Sequence, residues 1–454
     1  MKIANCLSVE VDVSLIDSVR EAGVIGAGGA GFPTHVKLSA QAEYILLNGA
    51  ECEPLLRVDQ QLMAQYPDEI IKGFAAAGKA VDAQHAYLCI KAKHAAVIGI
   101  LEERIAALGV APFVEVKQLD DVYPAGDEQI LVYTVTGRCV PEGGIPLNVG
   151  CVVINSETAL NVYNAEHGIP VTEKYITVAG DIPNRVTVKV PVGTPVMDVL
   201  KQSGLESFDG YTVIGGGPMM GPVLKELSGY VTKKDKGFVI LKDDHSLIRK
   251  KTTDMSRARR INLAACAQCR MCTDLCPRYL IGHNVAPHKS MRILNYNLGD
   301  AGDKTHAQLC CQCNLCEYFS CPAGLHPKLA NDALRQQLME EGVRFQPTGE
   351  EPTARENREY RQVSSKRLTM RIGLTDFDKP APLQEGACTP STVRIALNAH
   401  VGAPSVPVVA VNERVEAGQC IAAIKDGALG ATAHASLAGT VVAVENGYIE
   451  IERG

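Results

Sequence analysis

Cys266-Ala267-Gln268-Cys269-Arg270-Met271-Cys272-Thr273-Asp274-Leu275-Cys276-Pro277 spells C-x2-C-x2-C-x3-C-P. Adding 44 to the first three cysteine numbers gives Cys310, Cys313 and Cys316, and a second Cys-Pro follows at Cys321-Pro322, one residue later than a perfect repeat. Three thiols at i, i+3 and i+6 wrap one turn of chain around a single centre. The fourth stands too far along to close that centre and crosses to the other one, while its proline starts a helix. The pattern therefore reads as two interleaved sets, Cys266, Cys269, Cys272 with Cys321, and Cys310, Cys313, Cys316 with Cys276. Cys311 stands two residues before Cys313, a spacing that fits neither set, and is left as a spare.

Tetrahedral zinc also takes four ligands, but it favours paired C-x2-C knuckles separated by a longer loop. A triple run closed by Cys-Pro, twice, points instead to two [4Fe–4S] clusters in a ferredoxin-type domain. Nine of the 16 cysteines fall between Cys266 and Cys321, and the other seven are scattered. Clustered cysteines of this kind belong to a compartment where thiols stay reduced. Residues 1–25 carry Lys2, Glu10, Asp12, Asp17, Arg20 and Glu21, which leaves no apolar signal-peptide core. The charge-free stretches 395–412 and 427–444 are broken by Pro404, Pro407, Gly427, Gly430 and Gly439, so they read as turn-rich β structure rather than membrane spans. The expectation is a cytoplasmic protein with no membrane span.

The chain has 454 residues, 46% apolar and 21% charged, which excludes wholesale disorder. Its 45 Lys and Arg against 51 Asp and Glu leave a net charge of −6 and no Trp, so neither a basic field nor a stacking platform recruits nucleic acid. One segment runs against this balance: residues 233–260 hold ten Lys/Arg and four Asp/Glu. It reads as a solvated connector into the cysteine region, with a surface for an acidic partner as the alternative.

Along the first 165 residues helical and strand signals alternate. Leu15–Ala22 and Ala95–Leu108 show helical spacing, and Tyr44–Asn48, Ala86–Ile90 and Val152–Ile154 read as short buried strands, which implies an α/β layer. Strand-like Ile176–Ala179, Val186–Val190 and Tyr211–Ile214 surround a helix-like Pro195–Ser203, the signature of a small α+β unit of β-grasp type. Residues 335–372 are dense in both charge signs and read as a surface helix or linker. The last 70 residues alternate in short apolar strands and form an all-β unit.

Gly26-Ala27-Gly28-Gly29-Ala30-Gly31 matches G-x-G-x-x-G, but a helix precedes it and a strand follows, the reverse of a dinucleotide fingerprint. Such a run still lets backbone N–H groups approach a phosphate or a flat ring. It continues into Phe32-Pro33-Thr34-His35-Val36-Lys37 and then Asn48-Gly49-Ala50-Glu51-Cys52-Glu53-Pro54. These segments resemble the flavin- and NADH-binding signature of the complex I flavoprotein subunit, and more closely the corresponding subunit of the Rnf electron-transport complex. Tyr123-Pro124-Ala125-Gly126-Asp127-Glu128, Asn155-Ser156-Glu157-Thr158 and Gly215–Gly221 extend the resemblance in the same order. It implies that Gly26, Gly28, Gly29, Gly31 and Lys37 hold the FMN phosphate and ring edge. It also implies that Asn48, Glu51, Tyr123, Asp127, Asn155 and Ser156 line the flavin, and that Phe32 and Glu53 meet NADH. Ala27 stands where the complex I type has arginine. On the residues alone, Lys37 is a surface lysine, Glu51 and Glu53 an exposed strand end, and Gly215–Gly221 a structural turn.

Near the C-terminus, His400–Pro404, Val415–Gln419 and His434–Val441 resemble a lipoyl/biotinyl-type barrel-sandwich, without a lysine in the 427–432 stretch where carriers present one. His400 and His434 read as turn or packing residues, with contact to a ligand such as cobalt as the alternative. In the Rnf protein such a barrel precedes the flavin domain; here it closes the chain, an order that resembles the cobalamin reductases of propanediol-utilisation microcompartments. The domains implied are an FMN/NADH-binding α/β domain (1–168), a β-grasp (SLBB) domain (169–245), a helical two-cluster ferredoxin-type domain (250–334), a charged linker (335–384) and a barrel-sandwich hybrid (385–454). The family resemblance implies NADH as donor, cobalamin as acceptor, and an ATP:cob(I)alamin adenosyltransferase and microcompartment shell or enzymes as partners, with a microcompartment lumen as location and a homo-oligomer as one possible state. An Rnf-like protein passing electrons to ferredoxin or other redox proteins is the alternative.

Overall fold

Tyr44-Ile45-Leu46-Leu47-Asn48-Gly49 is an apolar run of strand length, and it forms a central strand of a four-stranded sheet. The computed structural model describes residues 14–296, 304–386, 388–445 and 447–454. In chain order the first strands are β1 (Tyr44–Gly49), β2 (His85–Lys91), β3 (Val114–Leu119), the two-residue β4 (Val122–Tyr123) and β5 (Cys151–Asn155). The sheet order is β3-β2-β1-β5, all parallel. The winding direction reverses between β1 and β5, and open parallel sheets bind ligands at the carboxyl ends of the strands at such a switch point. Asn48 and Asn155 are register partners at that end.

Helices cover the sheet. Pro67–Ala80 starts on proline, carries Asp68 and Glu69 in its first turn and Lys79 in its last, and buries Ile70, Ile71, Phe74 and Ala77. Gly73 lets it lie close to the helix Ser156–Glu166: a Cβ there would stand 2.1 Å from the Ala159 carbonyl. That second helix begins at the end of β5, so its N-terminus opens into the switch-point crevice.

The β-grasp unit follows with β6 (Glu173–Gly180), β7 (Val186–Pro191), β8 (Tyr211–Gly215) and β9 (Gly237–Lys242). The expected helix Pro195–Ser203 is a short α-helix, Val196–Leu200, that tightens into a 3₁₀ turn over Lys201–Ser203. The cysteine region is helical, with Met255–Ala265, Pro287–Tyr296 and Pro327–Glu340 around the two cysteine loops.

Residues 335–384 are more than a linker. Pro327–Glu340 runs into them, β10 (Val363–Ser364) pairs antiparallel with β4, and β11 (Leu383–Gln384) joins the β-grasp sheet beside β7, completing the order β11-β7-β6-β9-β8. The reason is a sparse apolar set hidden in the charge: Val363, Leu368, Ile372 and Leu374 are buried in one cluster with Tyr123, Cys313 and Leu315. The segment is a strap tying the cluster region to both flanking domains.

The last domain is all β, a four-stranded and a three-stranded sheet over a core of Val393, Ile395, Val441, Ile449 and Ile451. His434 is buried, and burial pushes its imidazole down to about 3. Among the described residues no helix is long and apolar enough to cross a membrane.

Candidate functional site

Four of the sequence motifs meet at the switch point. Asn48 Nδ2 donates to the Gly126 carbonyl (2.8 Å) and the Gly126 N–H donates to Cys52 Sγ (2.7 Å), stitching the 48–54 and 123–128 segments together. The glycine loop closes on itself through Gly26 N–H to the Phe32 carbonyl (2.9 Å). Its Ala27 N–H donates to Thr158 Oγ1 (3.1 Å), on the first turn of the helix that follows Asn155. Lys37 reaches under β5, donating to the Val153 carbonyl (2.9 Å) and pairing with Glu128 (3.4 Å).

The loop fits a flat phosphate-bearing ligand. Gly28, Gly29 and Ala30 are exposed, and a Cβ on Gly29 would meet no atom within 4 Å. The Thr34 hydroxyl just beyond is buried without a hydrogen-bond partner. Gly28 and Gly31 have φ of 86° and 74°, which suits glycine. Their missing Cβ atoms also make room for the stems of Lys236 and Lys234, which such atoms would approach to 2.7 and 2.8 Å. The barrel closes one side, where Val401 N–H donates to the Gly31 carbonyl (3.0 Å). Lys233 clamps the same edge, donating to the carbonyls of Gly23 (2.8 Å) and Thr432 (3.0 Å).

Beneath the loop lies a buried charge cluster that the sequence reading missed. Asp59 accepts from Ser156 Oγ (2.5 Å) and from Lys236 Nζ (2.5 Å), and Lys174 pairs with Glu157 (2.5 Å). Glu51 accepts from the N–H groups of Asp59 (3.0 Å) and Gln60 (3.3 Å), capping the helix Val58–Gln65. Burial, reinforced by the charge on Asp59, pushes Glu51 up to about 7. These partners come from as far apart as positions 59 and 236, and no periodicity links them.

Three residues that the resemblance implies for flavin or NADH also bond across domains. Glu53 spends both oxygens on the N–H groups of Met219 (2.8 Å) and Met220 (2.9 Å), in the Gly215–Gly221 turn. The Tyr123 hydroxyl donates to the Cys313 carbonyl (2.8 Å). Asp127 caps the helix Glu128–Thr136 with one oxygen and pairs with Arg278 (2.8 Å) through the other. Burial holds Glu53 up at about 7, above its usual 4.5. A carboxyl raised on folding is bound to its proton more tightly in the native state. Its contribution to stability is therefore full below about pH 4.5 and is lost as pH rises towards 7, by at most about 1.4 kcal/mol per pH unit. The margin in melting temperature of the wild type over Glu53→Gln should thus be widest near pH 5 and shrink by pH 7.5; a margin independent of pH would contradict this.

The cysteine loops repeat in conformation as well as sequence. Gln268 and Arg270 have left-handed φ of 52° and 66°, and their counterparts 44 positions on, Gln312 and Asn314, have 60° and 62°. Cys266, Cys269, Cys272 and Cys321 line one cavity of about 110 Å³. In the second set, burial pushes up the thiol of Cys316, with Cys310 and Cys276 adding to it, and a hydrogen bond with Cys311, then burial, pushes up that of Cys313, with Cys276 and Cys316 adding to it. The residue inserted before Cys321 is absorbed by a π-helical turn, Cys316–Ser320, which brings Cys321 back to the first set. Leu325 N–H donates to Cys321 Sγ (3.3 Å) and Gln312 N–H to Cys310 Sγ (3.3 Å), bonds of the kind that tune a cluster's potential. Cys311 lies beside Arg278 and Cys313.

The comparisons agree with this layout. Residues 19–164 match the Nuo51 FMN-binding domain, 265–326 the 4Fe-4S dicluster domain, and 379–453 the RnfC barrel sandwich hybrid domain. The chain is 40% identical to the cobalamin reductase PduS of Salmonella typhimurium, over 98% of this chain and 99% of that one. It is 39% identical to PduS of Citrobacter freundii over 96% of each. A component of the Na⁺-translocating ferredoxin:NAD⁺ oxidoreductase complex of Acetobacterium woodii is 32% identical over 60% of this chain and 59% of its own. The cofactors are FMN and two [4Fe–4S] clusters, with NADH as donor, and the chain belongs to the family of the cobalamin reductase PduS.

Proposed function

We propose that this chain reduces cobalamin with electrons from NADH, taking Co(III) through Co(II) to Co(I) for B12 recycling. FMN, when bound, turns the hydride pair of NADH into single electrons that iron–sulfur clusters carry. The protein's part is to bind, orient and connect. The glycine loop and the helix N-terminus at Ser156 offer N–H groups to a phosphate. Asn48 and Asn155 stand at the carboxyl edge of the sheet where a flavin ring fits, and Phe32 offers a ring for the nicotinamide. The observation that carries the reading is the junction between flavin domain and second cysteine set: Tyr123, Cys313 and Leu315 share one buried apolar cluster, and Tyr123 bonds the Cys313 carbonyl. Two redox domains built around one core keep their centres close and fixed. Cobalamin as acceptor follows from the full-length likeness to PduS. An adenosyltransferase that takes up Co(I), and a place inside a microcompartment, extend the same reading.

Anaerobic purification with flavin and iron assays, followed by NADH-driven reduction of cob(III)alamin, tests it. Protein that reduces a dye with NADH but never cobalamin, with or without the transferase, would sink the cobalamin reading. The glycine loop has its own test. In Gly29→Val the new side chain enters open space, so the melting temperature should stay within about 1 °C, while FMN affinity, read by fluorescence quenching on reconstitution, should fall at least tenfold. Unchanged affinity would make the loop a mere turn.

A further inference from the structure

The two cysteine sets face different surroundings. The second is locked into the flavin and β-grasp domains: Tyr123 bonds Cys313, Asn314 Nδ2 donates to the Met219 carbonyl (2.6 Å), and Arg278 beside Cys276 pairs with Asp127. The first opens outward, and of the eight cluster cysteines Cys269 alone is exposed. The helix Met255–Ala265, which delivers the chain to Cys266, buries only Ala258 and Asn262. It turns aliphatic side chains to solvent, Ile261 at 38% and Leu263 at 45% exposure. Arg257, Arg259 and Arg260 are exposed on the same helix, and among the described residues none of the three forms an ion pair. Arg270, in the cysteine loop itself, is exposed too, paired with Asp274 (3.7 Å) and donating to the Tyr279 hydroxyl (3.3 Å). A helix whose solvent side carries Arg257, Arg259 and Arg260, with an exposed aliphatic side chain on either flank, on a chain of net charge −6, is a surface shaped for something of opposite charge.

We propose that this face, the helix Met255–Ala265 with the Cys266–Cys272 loop, is the electron exit port, and that it docks an acidic protein bearing a one-electron centre. The arginines steer and orient the partner, and Ile261 and Leu263 supply apolar contact on the two flanks of the arginine face. Each NADH gives up two electrons and one proton as NAD⁺ forms, so two partner molecules are each reduced by one electron per NADH consumed. The basic bias of residues 233–260 thus divides by place. Lys233, Lys234 and Lys236 serve the flavin loop, and the arginines from 257 onward serve the exit. The inference rests on the electron chain described above and not on cobalamin as its last acceptor.

Oxidised flavodoxin, an acidic one-electron carrier, is the probe, with cytochrome c as the basic counterpart. Calorimetric titration of the cofactor-loaded protein should show flavodoxin binding that weakens at least tenfold between 20 and 200 mM salt, and no comparable binding of cytochrome c. Arg257→Glu/Arg259→Glu/Arg260→Glu should weaken flavodoxin binding at least tenfold at low salt and flatten its salt dependence. Ile261→Ser/Leu263→Ser should weaken it several-fold while keeping the salt dependence. In NADH-driven flavodoxin reduction, KM should rise in parallel for both variants. Wild-type affinity in both variants, or preference for cytochrome c, overturns the proposal. Because binding is read with oxidised carrier, it is independent of turnover. Clusters that NADH fails to reduce, seen by electron paramagnetic resonance, would count against the electron chain and leave the docking result to stand or fall by itself.

Discussion

In Cys276→Ala, iron is expected to fall from about eight atoms per chain to about four, and the cluster lost should be the one held by the second cysteine loop. By position Cys276 belongs with Cys272, four residues before it. In space it is buried beside Cys310, whose charge, with that of Cys311, reinforces the effect of burial in raising its thiol. Cys321→Ala should remove the other cluster, since Cys321 shares the cavity of Cys266, Cys269 and Cys272. The spectroscopic signatures that survive in the two variants should therefore be complementary. The second set is the one bonded to the flavin domain through Tyr123, so Cys276→Ala should also cut NADH-driven cobalamin reduction at least 100-fold while dye reduction persists. Cys311 stands near enough to Cys276 to offer a substitute thiol, so Cys276→Ala/Cys311→Ala should complete any partial loss. Retention of the second cluster in that double variant would break the interleaved assignment.

How far the sequence reads ahead of the structure depends on whether a contact leaves a local pattern. The parallel sheet was legible because Tyr44–Asn48, Ala86–Ile90 and Val152–Ile154 are apolar runs of strand length, and each lies inside an observed strand. Asn48 and Asn155 were singled out separately, and only the topology makes them register partners at the switch point. The extra residue before Cys321 was visible as a blemish in a repeat. Its remedy, a π-helical turn, depends on how the chain packs and was not. The strap escaped notice because four buried apolar residues were diluted in a charged segment. Glu53, Tyr123 and Asp127 have partners that no motif announces. Their segments stand where expected, but their polar atoms are bonded across domain boundaries to Met219, Cys313 and Arg278.

Lys236→Met should lower stability by about 3 kcal/mol near neutral pH, the cost of leaving buried carboxylates without their cation. Lys236 comes from the β-grasp domain and ends on Asp59 of the flavin domain, with Glu51 and Glu157 near enough to raise its ammonium pKa further. Methionine keeps most of the stem that lies along Gly28, so packing against the loop is largely preserved and the loss reports on charge. The sign of the pH dependence follows. Glu51 is already pushed up to about 7 with the cation present, and removing a charge that lowers it must push it higher. The variant's folded state then holds that proton to higher pH than the wild type does, so its deficit should be smallest near pH 5 and grow as pH rises through 7. Thermal unfolding of both proteins from pH 5 to pH 8 measures it. Asp59→Asn added to Lys236→Met should recover part of the loss, because it removes the carboxylate the lysine was neutralising. A melting temperature within about 1 °C of wild type across that range would mean that water reaches the cluster and that the cation is dispensable. The expected outcome is that one lysine, arriving from 177 residues further along the chain, holds the buried charge cluster beneath the glycine loop together.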